Sequence, residues 1–432
     1  GEKFIYYYNK DGIFIVSSEI LPIINYIGKY NLNDNEFYNY FLTRHLMQFE
    51  NTLFEDIYTV LPGESFILDI SSLSIINRNI KDIRSLISEK KQNELANKNY
   101  HELNSILNDI FNKVVIEMTP KIDFACVISG GIDSSLSTAL ISKYKKPKVC
   151  VTCYCEDKDF VASKDMILYE NSIKNKIDII NISSEEWANN ITKCQLAFCS
   201  PLITHSSVNY NIMSNYIAKK KIKVLFVGDG ADELFGGYDC YLNKNNEFNL
   251  YSPSNYSKIY DFKIKFLKNF SNQYKQKLSS LWKDSKKYYK DKIQSILLND
   301  SLTMLSSVGC KTTDTIGSMN GLELRNIFYH KKILEFILNC PLSAKLDFEK
   351  NITKKLLKSA YLQFFPKSTI VKKQGFTGYP NESNYLIDNF KLITKLLKIK
   401  NYDNNDRDLM WKLINSEIFL KYTIPLINDY LK

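Results

Sequence analysis

Along the first 80 residues apolar positions come in short alternating runs, and beyond His101 they recur at helical spacing between short apolar blocks. Lys3–Tyr8 and Gly12–Val16 read as strands joined by Asn9-Lys10-Asp11, which predicts a hairpin. Ser17-Ser18-Glu19 offers capping groups ahead of a helix pattern from Ile20 to Ile27. Leu61-Pro62-Gly63-Glu64 predicts a turn before two further strands, Ser65–Ile70 and Ser74–Arg78. The span Asp82–Lys98 is polar, lacks a strong apolar face, and is expected to be a linker.

From His101 the pattern changes. An amphipathic helix over Glu102–Met118 precedes the strand Phe124–Ile128 and a helix over Ser134–Tyr144. Strands at Val149–Tyr154, Ile177–Ile182 and Val224–Val227 follow, separated by helical patterns. Such alternation predicts an α/β fold with a doubly wound, mostly parallel sheet. After Leu250 the chain reads as helical to its end, and no internal repeat is visible. The expected organisation is a β-rich unit over 1–80, a linker over 81–100 and an α/β domain over 101–432.

Composition narrows the class. At 432 residues the chain exceeds the usual single core, so two domains are expected. Hydrophobic residues make up 44% and charged residues 24%, the ordinary globular range. No apolar run approaches the roughly 18 residues that span a bilayer, and no secretory leader pattern opens the sequence. A soluble, cytoplasmic protein without a membrane partner is therefore expected. The first residue is Gly1, inside a strand-like run, and further residues are expected upstream.

The formal net charge of +10 raises nucleic acid as a partner, yet Lys, Asn, Ile and Tyr are spread along the whole chain. The densest basic stretch, Asp261–Asn299, alternates Lys with aromatic residues at helical spacing, which favours amphipathic helices with solvated lysines. Nine cysteines are mostly scattered singly, against a disulfide framework. Cys150 and Cys153 have C-x-x-C spacing but fall inside an apolar strand, Lys148–Cys155, where buried thiols are expected rather than zinc ligands. His45, His101, His205 and His330 make no metal-spaced pair.

Two motifs carry chemistry. Ser129-Gly130-Gly131-Ile132-Asp133-Ser134-Ser135 follows a buried strand and opens a helix. Glycines let backbone approach closely, amides and hydroxyls face anions, and the helix start adds positive potential. This is not a Walker loop, since no G-x-x-x-x-G-K-[ST] occurs. Gly228-Asp229-Gly230-Ala231-Asp232-Glu233-Leu234-Phe235-Gly236-Gly237-Tyr238 also follows an apolar strand. In an open parallel sheet both would face one crevice at the carboxyl ends of the strands. Carboxylates so crowded need a cation, and magnesium shared by Asp133 and Asp232 would supply it.

Together the motifs resemble the asparagine synthetase family, with S-G-G-x-D-S followed by G-[DE]-G-[AS]-D-E-x-F-G-G-Y. Ile5-Tyr6-Tyr7, Ser18-Glu19-Ile20, Thr52-Leu53-Phe54 and Leu61-Pro62-Gly63 are similar, in order, to the closing part of that family's glutaminase domain. Leu322-Glu323-Leu324-Arg325, Thr353-Lys354-Lys355-Leu356-Leu357 and Lys372-Lys373-Gln374-Gly375-Phe376 resemble its downstream elements. The resemblance implies a domain of the pyrophosphate-loop ATPase type with a helical C-terminal part, behind a partial or degenerate glutaminase-like (Ntn-type) unit.

It also implies roles. Ser129, Gly130, Gly131 and Ser134 would cradle pyrophosphate, with Gly228 beside them. Asp133 and Asp232 would hold Mg2+, and Ile128 and Val151 would line the adenine of ATP. Lys354 and Lys373 would neutralise developing charge, although Lys354 and Lys355 are not separable on the residues alone. Asp229 and Glu323 stand where the family places a catalytic acidic pair, and either could take a proton from an attacking amine. For Glu323 a plain ion pair with Arg325 is the competing reading. The implied reaction is adenylation of a carboxylate, aspartate foremost, then attack by ammonia, free or drawn from glutamine. A homodimer is an open assembly state.

Three departures bear on the substrate. Asn326-Ile327-Phe328-Tyr329-His330 stands where the family continues with a proline and ends in aspartate. Phe198-Cys199-Ser200-Pro201-Leu202 lacks the usual carboxylates, and no N-terminal cysteine nucleophile is present. Lasso-peptide macrolactam cyclases, which act on a peptide, are thus an alternative. β-Lactam synthetases carry tyrosine where Asp229 stands and are disfavoured. A more distant alternative is the tRNA-modifying pyrophosphate-loop enzymes, against which the hairpin-rich start and the second motif both speak.

Overall fold

A computed structural model describes residues 2–43, 50–155, 166–242, 276, 280, 283–366, 390–397 and 407–431. Five short strands, all parallel where they pair, form its central sheet: β6 (Ala125–Val127), β7 (Val149–Cys155), β8 (Ile177–Ile182), β9 (Val224–Val227) and β10 (Glu323–Asn326), in the order β10-β9-β6-β7-β8. Ahead of them, β1 (Tyr6–Lys10), β2 (Ile13–Ser17) and β3 (Ile57–Thr59) make an antiparallel sheet, and β4 (Glu64–Asp69) pairs with β5 (Ser74–Ile80).

Residues near the middle of the central sheet are buried on both sides, which is why its strands read as unbroken apolar runs. Phe124, Cys126, Val224 and Phe226 enter one core with Leu107 and Phe111 from the Tyr100–Met118 helix and Leu136 from the Ile132–Tyr144 helix. Ala125, Val127, Leu225 and Val227 enter the opposite core with Trp187 and Ile191 from the Ser184–Phe198 helix and Met213 from the Ser206–Lys219 helix. The period-two alternation of the strand thus serves two helical layers at once. It also sends Cys150 and Cys153 into opposite cores, so the C-x-x-C spacing converges on nothing.

The chain runs outward from β6 to β7 and β8, then returns to place β9 on the other side of β6. This reversal creates a crevice between the carboxyl ends of β6 and β9, and the two glycine-bearing turns start there.

The structure departs from the sequence expectation at three places. The first hairpin turns at Asp11-Gly12, both at positive φ (54° and 74°), so pairing extends through Lys10 and Ile13. That is the two-residue turn whose twist suits paired strands. The span expected as a linker holds a 3-10 turn, Ile83–Leu86, and a helix, Glu89–Ala96. Leu95 supplies its apolar contact, and Asn339 accepts from Ser88 N at 2.8 Å and donates to Leu86 O at 2.9 Å. Finally, the chain after Leu250 is not wholly helical, because Glu323–Asn326 adds the edge strand β10.

The N-terminal strands share their core with the C-terminal helices. Tyr6, Ile24, Phe37 and Phe54 pack with Leu413 of the Arg407–Ile418 helix, Phe419 and Ile427. Polar ties reinforce the junction: Tyr40 donates to Leu202 O at 2.9 Å, and Asn415 donates to the Tyr40 hydroxyl at 2.7 Å. No helix among the described residues is long and apolar enough to cross a membrane.

Candidate functional site

The turn after β6 is closed by its own hydroxyls. Ser129 N donates to Ser134 Oγ at 3.0 Å, the two hydroxyls lie 2.8 Å apart, and Gly131 N reaches Ser129 Oγ at 3.4 Å. Gly130 sits at φ 79°, a conformation that a side chain would strain. Gly131 caps the Ile132–Tyr144 helix, placing Asp133 and Ser134 in its first turn, where the macrodipole favours negative charge. Tyr169 donates to Gly130 O at 3.0 Å and meets the Tyr361 hydroxyl at 2.9 Å, bracing the turn from outside.

The turn after β9 presses against the first. A Cβ on Gly228 would stand 2.6 Å from Ser134 N and 2.7 Å from its Cα, so only glycine allows this approach. Ala231–Phe235 forms a short helix ending at Gly236, and Gly237 N donates to Asp232 O at 2.7 Å. A Cβ on Gly237 would overlap the Asp232 carboxylate and the Lys354 stem.

Lys354 joins the two turns. Its Nζ donates to Asp133 Oδ1 and Oδ2 at 2.7 and 2.6 Å and pairs with Asp232 Oδ1 at 2.6 Å. The residue is only 5% exposed. Burial alone would pull its pKa down, but the Asp133 and Asp232 charges outweigh that and hold it well above the usual lysine value. Its backbone is left-handed at φ 49°, ahead of the Lys355–Phe364 helix, and its N–H bonds Gly236 O at 3.2 Å. Lys355 faces elsewhere, pairing with Asp347 at 3.2 Å and lying over the Tyr100 ring. The pair left open on the sequence is thereby separated.

Asp229 is half-buried, and Tyr210 donates to its Oδ2 at 2.6 Å. Its pKa is pushed up to about 6, first by burial, with the carboxylates of Asp133 and Asp232 adding to the rise and the Tyr210 hydrogen bond opposing it. Asn326 donates to Asp229 O at 2.5 Å, fixing the backbone from β10.

Glu323 is not brought into this cluster, contrary to the sequence expectation. It is paired with Val224 at the amino end of β9, whereas Asn326 is paired with Val227 at the crevice end. Three residues of strand rise set it back by ~10 Å. It is exposed and pairs with Arg325 at 3.1 Å. The side chain of Val151 is fully buried in the sheet core, and what Val151 offers is its carbonyl, which accepts from Ile128 N at 2.9 Å. Ile128 is likewise fully buried. Lys373, with the Lys372–Phe376 segment, lies outside the described residues, as does most of the basic stretch before residue 283.

Two carboxylates converging on one point are the hard oxygen donors that Mg2+ takes, so Asp133 and Asp232 fit the metal by donor chemistry. Sequence reasoning missed Tyr210, Tyr169 and Tyr361. They sit on helices remote in the chain, and no local pattern marks them. Asn326 was visible as a departure from a motif but carried no assigned task.

Comparison with known proteins gives a consistent family signal. The family described as asparagine synthase matches residues 109–414. The chain is 25% identical over 214 residues to asparagine synthetase (glutamine-hydrolyzing) 1 of Bacillus subtilis, covering 48% of this chain and 32% of that protein. It is 23% identical over 345 residues to a probable asparagine synthetase (glutamine-hydrolyzing) of Acanthamoeba polyphaga mimivirus, covering 76% and 54%. Over 268 residues it is 26% identical to a putative asparagine synthetase (glutamine-hydrolyzing) 1 of Methanocaldococcus jannaschii, covering 59% and 40%. In these alignments the chain spans between about a third and a half of the relatives' length.

Proposed function

The chain belongs to the asparagine synthase family, and from that premise we propose that it forms an amide bond by adenylating a carboxylate with ATP. What carries this reading is the meeting of Asp133, Lys354 and Asp232 at the mouth of the crevice. The α/β region would be of the pyrophosphate-loop ATPase type. Residues 1–80 would be a partial glutaminase-like unit of Ntn type, with the boundary in 81–100.

Backbone N–H groups of Gly130 and Gly131, the hydroxyls of Ser129 and Ser134, and the start of the Ile132–Tyr144 helix would hold the pyrophosphate of ATP. Asp133 and Asp232 would hold Mg2+, which when bound neutralises phosphate charge. Lys354, kept protonated by its two carboxylates, adds a fixed positive charge where negative charge develops.

The substrate carboxylate oxygen forms a bond to the α-phosphorus, and the bond to pyrophosphate breaks. Nitrogen then attacks the acyl carbon, the carbon–oxygen bond to AMP breaks, and the nitrogen loses a proton. Asp229 is the group suited to take that proton, because a carboxyl with a pKa of about 6 is ionised at neutral pH yet more basic than an ordinary aspartate. Aspartate is the proposed acceptor and ammonia, free or delivered from glutamine, the nitrogen source, with asparagine as product.

ATP–pyrophosphate exchange tests the reading. Exchange dependent on aspartate and Mg2+ is expected. Exchange with a peptide bearing an Asp or Glu side chain, and none with aspartate, would transfer the assignment to macrolactam formation. No exchange with either would sink adenylation itself.

A further inference from the structure

The crevice lies at the carboxyl end of the central sheet, and lysines gather at the opposite end. Four segments lead into the amino ends of β6, β7, β8 and β9: residues 119–124, 143–148, 174–176 and 219–223. Together they hold eleven lysines and one aspartate, a net charge of +10, which equals the formal net charge of all 432 residues. The rest of the chain therefore cancels. Because the strands are parallel and adjacent in the order β9-β6-β7-β8, the four segments emerge side by side on one face. Neighbouring strands are ~4.8 Å apart, so the stripe crosses ~15 Å of sheet.

The segments are fastened to one another. Lys145 Nζ donates to the carbonyls of Pro120, Lys121 and Ile122 at 2.9, 2.7 and 3.1 Å, and Asn175 donates to Pro147 O at 2.8 Å. Lys148 pairs with Asp123 at 2.6 Å and Lys220 with Asp178 at 3.2 Å. The other eight lysines are exposed, and their side chains make no hydrogen bond or ion pair among the described residues.

Two observations set this face apart from a rim of solvated lysines. The helices Tyr100–Met118, Ile132–Tyr144, Met166–Ile173 and Ser206–Lys219 end here, and lysine complements helix C-termini. Each such end supplies about half a negative charge, however, ~2 in all against ten. Lys174 and Lys221 also stand at left-handed φ of 53° and 58°, a backbone that glycine or asparagine adopts at less cost. Within the stripe the Tyr144 ring, between Lys143 and Lys145, is 55% exposed. Cations that track phosphates and a bare ring on which a base stacks are the two elements of single-strand binding. A lipid headgroup layer calls instead for an amphipathic helix lying flat, and these helices meet the face by their ends.

We propose that the amino-end face of the central sheet binds a single-stranded nucleic acid, with phosphates along the lysine stripe and a base on Tyr144. The site stands apart from adenylation, because the crevice lies ~10–20 Å away at the other ends of the strands.

Fluorescence anisotropy of the full chain with short labelled oligo-uridylate and oligo-thymidylate tests the site. Saturable binding that weakens at least tenfold between about 50 and about 200 mM salt is expected, and the tighter oligomer tells RNA from DNA. Lys146→Gln, Lys176→Gln and Lys223→Gln together should weaken binding at least tenfold and reduce the slope of log affinity against log salt by about 2. The same loss of charge elsewhere on the surface, Lys29→Gln, Lys81→Gln and Lys90→Gln together, should weaken it by less than about threefold. Tyr144→Ala should weaken it at least about fivefold with the salt slope unchanged. Thermal melting checks that each variant folds. The proposal is overturned if neither oligomer binds saturably at the lower salt, if the two triple variants lose affinity equally, if Tyr144→Ala binds like the wild type, or if phosphatidylserine vesicles capture the chain and both oligomers fail to bind.

Discussion

Tyr210 donates its hydroxyl hydrogen to Asp229 across 2.6 Å, tying the Ser206–Lys219 helix to the turn after β9. The bond favours the ionised carboxylate, while burial and two neighbouring carboxylates disfavour it, and the balance leaves Asp229 near 6.

That balance makes Asp229 a liability to folding at neutral pH. Its folded pKa is raised from 3.8 to about 6, so the protonated form is favoured by folding. The associated stability is fully present below 3.8 and lost as pH rises through 6. Asp229→Asn escapes this loss. Its melting temperature should rise relative to wild type between pH 4 and pH 6, then hold a constant lead corresponding to about 3 kcal/mol. Pyrophosphate exchange should persist while amide formation falls. A melting difference independent of pH would contradict the assignment.

Lys354→Met should remove the charge between Asp133 and Asp232 and leave both carboxylates facing each other. Breaking a buried pair in this way costs ~3–5 kcal/mol. Chemical denaturation should show that loss, and Mg2+ at millimolar concentration should restore part of it. Lys355→Met, which breaks a partly exposed pair with Asp347, should cost less than ~1 kcal/mol. Equal losses in the two variants would show that Lys354 has no special place.

Gly237→Ala tests the close packing of the same cluster. Its new methyl would overlap the Asp232 carboxylate and the Lys354 stem, so one of them must move. Overpacking of this kind costs ~1–3 kcal/mol, and exchange activity should drop by more than tenfold. Retention of wild-type exchange would mean that the position of Asp232 is unimportant.

Much of the architecture was legible in the sequence because the central strands announce themselves. Phe124–Ile128 and Val224–Val227 are apolar at every position, since both faces of the sheet are covered. The glycine-bearing turns were legible for a local reason too, as glycine, hydroxyl and carboxylate cluster where strand meets helix. β10 was not, because only four residues pair and Leu324 alone among them is apolar. Without that strand, Glu323 could not be told from a residue at the crevice. Nor could Lys354 be told from Lys355, since the left-handed backbone that aims Lys354 inward is a tertiary choice that propensity does not encode.

The pairing of β6 with β9, Ala125 opposite Leu225 and Cys126 opposite Phe226, has a consequence for how such a site can drift over time. Neighbouring strands hold a separation of ~4.8 Å whatever side chains they carry. The gap between the two glycine-bearing turns is thus ruled by peptide hydrogen bonds. Surrounding helices are then free to exchange most of their residues without respacing the two turns.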